Sequence, residues 1–294
     1  MNKKQIEKLA ANLLFSINSS ETDIADWTKK NQAKILDAIM SEIKQMPTTD
    51  GKLGQGKSTT EFIASLPRRV RAALKKTGYL AKTDGYIRQF EKVGQLQIDL
   101  HKELNNLEVG SVVTPIRATW AQITAQNLAG QGMDNIFVAP LQNELLKHAA
   151  GGLSLAQMEE AMRQTIAGSH DAENTTFTNY SLRISRDALG QYDGAVNAKI
   201  ADQFDLNAIV YVGSVIDDTR AQCERWLEPE FILIADLQDE IDWAYSNGKG
   251  MIAGTTPANF MALRGGYNCR HQAVPIRVTD AQIAAGTLEP TESE

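Results

Sequence analysis

Apolar residues recur every three or four positions along most of this chain, the spacing that gives a helix one buried face. Between Lys3 and Ile17 they are Ile6, Leu9, Leu13, Leu14 and Ile17, and the polar run from Ser19 to Asp23 predicts a break and a fresh cap before a second helix. That helix carries Ile24, Trp27, Ile35, Ile39 and Ile43 to about Gln45 and stops ahead of Pro47. Residues 48–59 read as a Gly/Lys linker, and helical spacing resumes from Thr59 to Asn106. Val109 to Pro115 reads as a short extended connector, followed by a helix from Ile116 to Ala129. A bend at Asn135 to Pro140 leads into a helix ending near Gly151. Leu155, Met158, Met162 and Ile166 mark the next helix, with Ser154 as its cap. After the polar interval Gly168 to Thr176, one long helix is predicted from about Tyr180 to Phe204, turning Leu182, Leu189, Tyr192, Val196 and Ile200 inward.

Beyond this helix the pattern changes. Tyr211 opens a β-branched run around Gly213 that reads as a strand, and Asp217, Asp218, Thr219 and Arg220 form a polar turn with Thr219 as the cap of a helix through Cys223 to Trp226. Farther on, Gly265 and Gly266 precede Tyr267, Asn268, Cys269, Arg270 and His271, and Ala273 to Ile276 is a short edge strand with Pro275 at its margin. The fold class expected is mostly α: an elongated helical region over residues 1–170, then a small α+β module over 176–280 that includes its leading helix, and a polar tail over 281–294.

At 294 residues, 43% hydrophobic and 22% charged, the chain can bury one sizeable core or two modest ones. No apolar run reaches the length of a membrane span, and no signal-type apolar stretch follows the first lysines. A cytoplasmic start without membrane contact is therefore expected, with the two cysteines as thiols. The net charge of −6 is unevenly spread: residues 1–105 carry 18 Lys and Arg against 12 Asp and Glu, net +6, and the remainder carries net −12. Arg68, Arg69, Arg71, Lys75 and Lys76 crowd one short helical stretch, which suits sequence-independent contact with phosphates or a plain solvated face.

Three further patterns invite chemistry. Gly51 to Ser58 matches the phosphate-loop spacing, with Lys57 and Ser58 at the phosphate and magnesium positions and Asp236 ending a distant apolar run. The residues before Gly51 are a helix end and a polar turn rather than a buried strand, so the better reading is a linker. Asp236, Asp239, Glu240 and Asp242 could meet a divalent ion but suit a solvated acidic helix face better. Cys223, Cys269 and His271 are three soft donors, one short of a closed zinc site, so buried free thiols are favoured and no metal or other cofactor is expected. A cysteine nucleophile would need a base and an oxyanion site, with His271 the only evident nearby base. Thr219, Arg220 and Arg270 read as structural, the arginines able to pair with Asp217, Asp218 or Glu224.

The order Tyr211, Gly213, Asp217, Thr219, Arg220, Cys223, then Tyr267, Asn268, Cys269, Arg270, His271 and Val274, Pro275, Ile276, resembles the C-terminal domain of the phage Mu F-type minor head proteins, the phage head morphogenesis family. It covers roughly Thr176 to Val278, and departs from the family's order around the second cysteine, where Tyr267 and Asn268 precede and His271 follows. The resemblance implies a non-catalytic, low-copy head protein of a tailed bacteriophage, added near the portal during head assembly and associated with packaged DNA or its ejection. The expected partners are a portal, scaffold or major capsid protein, with double-stranded DNA contacted nonspecifically. The expected location is the virion head interior or portal region, after assembly in the host cytoplasm. The competing reading is a nucleotide-binding or nucleic-acid-processing enzyme built on Gly51 to Ser58.

Overall fold

The computed structural model describes residues 1–54, 56–168 and 173–289. In chain order its elements are α1 (Lys3–Lys30), α2 (Gln32–Ile43), β1 (Thr48–Thr49), β2 (Lys52–Leu53), α3 (Lys57–Ala64), α4 (Leu66–Thr77), α5 (Tyr79–Ile87), α6 (Gln89–Asn105), α7 (Gly110–Ala129) and α8 (Gln131–Met133). A π-helical turn (Asp134–Val138) leads into α9 (Ala139–Ala150), α10 (Leu155–Ala167), α11 (Thr176–Ser185), α12 (Ala188–Gln203), β3 (Ala208–Val212), α13 (Ala221–Leu227) and β4 (Ile232–Leu233). A 3-10 turn (Ile234–Asp236), α14 (Leu237–Asn247), α15 (Phe260–Leu263), β5 (Gln272–Ile276) and α16 (Asp280–Ala285) complete the chain. The fold is mostly helical with small antiparallel sheets, as its periodicity predicts. No helix among the described residues is long and apolar enough to cross a membrane.

Two compact units are formed, and neither is one continuous segment. The first comprises Met1–Glu21, Arg88–Ala121 and Asp187–Glu294, the second Thr22–Ile87 and Gln122–Arg186. The division expected at residues 170–176 therefore differs from the compact units: α6 and the start of α1 belong with the C-terminal residues. Residues 169–172 of the polar interval, Gln55 of the linker and residues 290–294 of the tail lie outside the described residues.

In the second unit the stripes of α2, α4, α9, α10 and α11 meet in one core that includes Ile39, Leu66, Leu74, Leu141, Met158 and Phe177. Ser154 caps α10 in a full capping box with Gln157, as its position predicts. The linker contains a short hairpin: Thr48 and Thr49 pair with Leu53 and Lys52, and Asp50 and Gly51 turn with φ of 50° and 74°.

In the first unit β3 is the central strand of an antiparallel sheet ordered β4-β3-β5, and all five of its residues are buried. Pro275 faces Ile209 on the edge strand β5, where its missing N–H does not interrupt a central ladder. Against this sheet lies α12, also packed on α6 and α15. Gly194 makes the α12–α15 approach feasible, since a Cβ there would sit 1.9 Å from the Met261 carbonyl oxygen.

Three expected boundaries fall elsewhere. α1 runs through Ser19 and Ser20 because both hydroxyls bond back to the Ser16 carbonyl, at 3.3 and 2.7 Å, and so stay within the helix. The segment Val109 to Pro115 is not extended: α7 begins at Gly110 and contains Pro115. Pro115 sits one turn in, where it removes a single ladder bond, while Val109, Val112 and Val113 bury their side chains. The helix predicted from Tyr180 to Phe204 divides at Arg186 and Asp187, because the Asp187 carboxylate is held by the backbone N–H of Asn268 at 2.7 Å.

Candidate functional site

Strand β3 ends at Val212, and the turn after it carries the chain to α13. Tyr211, 1% exposed, points its ring into an aromatic group with Trp226 at 5.4 Å, Phe260 at 6.5 Å and His271 at 5.5 Å between ring centres. Such ring pairs add about 0.5–1.5 kcal/mol each beyond area burial. The Tyr211 hydroxyl lies 3.7 Å from Cys223 Sγ and 3.3 Å from Cys269 Sγ. Burial, and then the charge that either sulfur can carry, push this phenol well above its usual value.

The two sulfurs are 4.0 Å apart, and Cys269 Sγ is 3.7 Å from His271 Nδ1. Both cysteines are free and buried. The hydrogen bond from Cys223, followed by His271 and Arg264, holds the Cys269 thiol well below its ordinary range. The same sulfur pairing, together with burial, pushes Cys223 up. Among the described residues, Cys223, Cys269 and His271 are the one group of His, Cys, Asp or Glu side chains whose donor atoms converge, all within 4.8 Å. They line a cavity of about 430 Å³ together with Asn18, Asp218 and Arg220.

Arg220 and Gln222 fasten the two stretches together. Arg220 Nη1 donates to the Gly265 carbonyl at 2.8 Å and Nη2 to that of Tyr267, while Gln222 Nε2 donates to Lys249 and Gly265 carbonyls at 2.8 and 3.2 Å. Gly265 fits only without a side chain: a Cβ would lie 2.3 Å from Cys223 Sγ. Arg264 is 3% exposed and donates to the His271 carbonyl at 2.9 Å, fixing the entry to β5.

Several sequence expectations need correction here. Thr219 does not cap α13; its hydroxyl accepts from the Ile216 N–H at 2.7 Å, and Arg220 occupies the cap position. Arg220 does not pair with Asp217, Asp218 or Glu224 because carbonyls take its donors. Asp217 and Arg270 are exposed, and the Arg270 carbonyl accepts from Asn18. Tyr267 is exposed, Asn268 takes a left-handed φ of 57° in the turn, and Gly213 lies against the His271 ring. Of the acidic group on α14, Glu240 is bound by Arg225 at 2.7 and 2.9 Å and by Trp226 Nε1 at 3.0 Å, and Asp242 by Gln238. Gln222 and Arg264 hold the site without belonging to any pattern legible in the sequence. The glycine pair after Arg264 was the available signal of a tight approach, but nothing local separates a buried arginine from a surface one.

The basic stretch lies on α4. Arg69 bonds Ser65, Gln45 and Glu42, Arg71 pairs with Asp134, and Lys76 pairs with Glu42 at 2.9 Å. Arg68 and Lys75 are exposed. In the phosphate-loop-like segment, Gly51 lies in the hairpin turn with its carbonyl bonded to Leu155 N, and Lys57 projects into solvent 3.7 Å from Glu61. The strand before it, β1, is two residues long and pairs antiparallel with β2, which lies within the segment. Asp236 is exposed in a 3-10 turn of the other unit. The chain matches no family model, no curated protein and no solved structure.

Proposed function

We propose that this chain is a non-catalytic minor head protein of a tailed bacteriophage, added near the portal while the head is assembled. The observation that supports this reading is how the two stretches with the family's residue order are joined. Arg220 from the first grips the backbone carbonyls of Gly265 and Tyr267 at the second, and the Tyr211 hydroxyl lies against both sulfurs. Tyr211, Thr219 and Arg220 of the shared order are thus engaged in holding their own module together, as a structural unit requires, while Asp217 and Arg270 face solvent. A portal, scaffold or major capsid protein is the partner that gives the chain its place, because the net −12 of residues 106–294 is repelled by DNA. Double-stranded DNA is contacted without sequence preference, through charges such as Arg68 and Lys75.

The test is quantitative mass spectrometry of purified heads from a phage encoding this chain, with crosslinking. A few copies per particle and crosslinks to the portal are expected. Absence from heads, or ATP-dependent processing of nucleic acid by the purified chain, would overturn the reading.

A further inference from the structure

We infer that Cys223, Cys269 and His271 bind one zinc ion, with water from the adjoining cavity as the fourth ligand. The inference stands on the geometry of the first unit and does not depend on the head-protein reading. Zinc takes thiolate sulfur at about 2.3 Å and imidazole nitrogen at about 2.0–2.1 Å, so donors around a tetrahedral ion lie about 3.5–3.8 Å apart. The separations here are 4.0 Å between the sulfurs and 3.7 Å between Cys269 Sγ and His271 Nδ1, and all three donors lie within 4.8 Å. The two shorter separations close with adjustments of a few tenths of an ångström, and the remaining one, at most 4.8 Å, with a closure of about 1 Å. A disulfide would require the sulfurs to approach to about 2.05 Å, a far larger movement.

The three donors come from two stretches, α13 and the segment leading into β5, and hydrogen bonds fix the backbone around each. Cys223 sits in α13, whose first residues are held through Arg220 and Gln222 to the Gly265 carbonyl. Cys269 follows the turn whose Asn268 N–H is bound by Asp187. His271 enters β5 with its carbonyl bound by the buried Arg264. Ligands positioned in this way lose little freedom when an ion arrives.

Two further features favour an ion at this position. All three donor residues line the same cavity of about 430 Å³, which gives an ion an entry path and room for a water. The Tyr211 hydroxyl, 3.3 Å from Cys269 Sγ and 3.7 Å from Cys223 Sγ, can donate to a coordinated sulfur and orient it. Two thiolates neutralise the charge of one zinc ion, so the three protein donors and the ion together carry no net charge.

The full chain, produced with zinc in the medium and purified under reducing conditions without chelator, is assayed for metal by mass spectrometry. One zinc per chain is expected, lost in Cys223→Ser, Cys269→Ser and His271→Ala. Since such variants can lose their fold, circular dichroism accompanies them, and the wild-type chain supplies an independent readout. After zinc removal, titration with cobalt(II) should give a thiolate-to-metal charge-transfer band that saturates at one equivalent, and X-ray absorption of the zinc form should show two sulfurs and two nitrogen or oxygen neighbours. A folded wild-type chain that takes up no zinc overturns the inference. So does zinc without sulfur neighbours, or equal zinc in a folded Cys223→Ser/Cys269→Ser variant.

Discussion

Glu21 is enclosed at the first turn of α12, where Oε1 accepts the N–H groups of Leu189 at 3.1 Å and Gly190 at 3.0 Å. These are orphan donors of a helix N-terminus, and a carboxylate there is ordinarily favourable. Burial outweighs that benefit and raises Glu21 to about 8, against the partial relief from the Gly190 N–H and Arg264 and with Asp187 adding to the rise. Asp193, also near Arg264, is raised by burial to about 7. The folded state therefore holds more protons than the unfolded chain between the ordinary carboxyl range and these values. Stability from these groups is complete below about pH 4 and is lost as pH rises through 7 to 8. Urea midpoints should fall from pH 5 to pH 8 in the wild type, and Glu21→Gln, which keeps the acceptor without the charge, should flatten that slope while Asp193 leaves a residue of it. Equal slopes in the two proteins would show that Glu21 ionises normally. None of this is visible locally: Glu21 reads in sequence as one more polar residue in a helix break.

At the scale of elements, α4 separates charges that look alike in sequence. Arg71 pairs with Asp134, whose side chain is 16% exposed, while Arg68 and Lys75 face solvent. Arg71→Gln should lower stability by about 1–3 kcal/mol, because it strands a largely buried carboxylate. Changing Arg68 and Lys75 together to glutamine should alter stability by no more than about 0.5 kcal/mol. Under the proposed DNA contact, the same double change should reduce the salt dependence of binding by about one unit for each charge. Denaturant melts and binding isotherms at several salt concentrations measure both, and equal stability losses in the two variants would refute the distinction. The helical stripe and its buried face on α4 were legible from spacing alone. Which cations have partners was not, since Asp134 and Glu42 come from other elements.

At the scale of the molecule, α6 and α12 are joined by buried polar contacts. Gln97 donates to Asp193 Oδ1 at 3.0 Å, and His101 Nε2 meets Asn197 Oδ1 at 3.0 Å while Asn105 donates to its Nδ1. The Asn105 amide also reaches the Pro275 carbonyl on β5 at 3.2 Å. A fragment of residues 176–289 would leave these groups unpaired and expose the α12 face that α6 covers, so it should not show a cooperative thermal transition. A cooperative melt of that fragment would restore a boundary near residue 176. The sequence by itself determined the elements whose causes are local: the stripes of α2 and α10 and the Ser154 cap, all set by residues within a few positions of one another; the strand expected to open at Tyr211 instead runs from Ala208 to Val212. Tertiary structure decided where helices end when a distant group claims the residue, as Asn268 does Asp187, and which residues share a unit. It also decided that Cys223, Cys269 and His271 converge, because that depends on the packing of α13, β3 and β5, elements far apart along the chain.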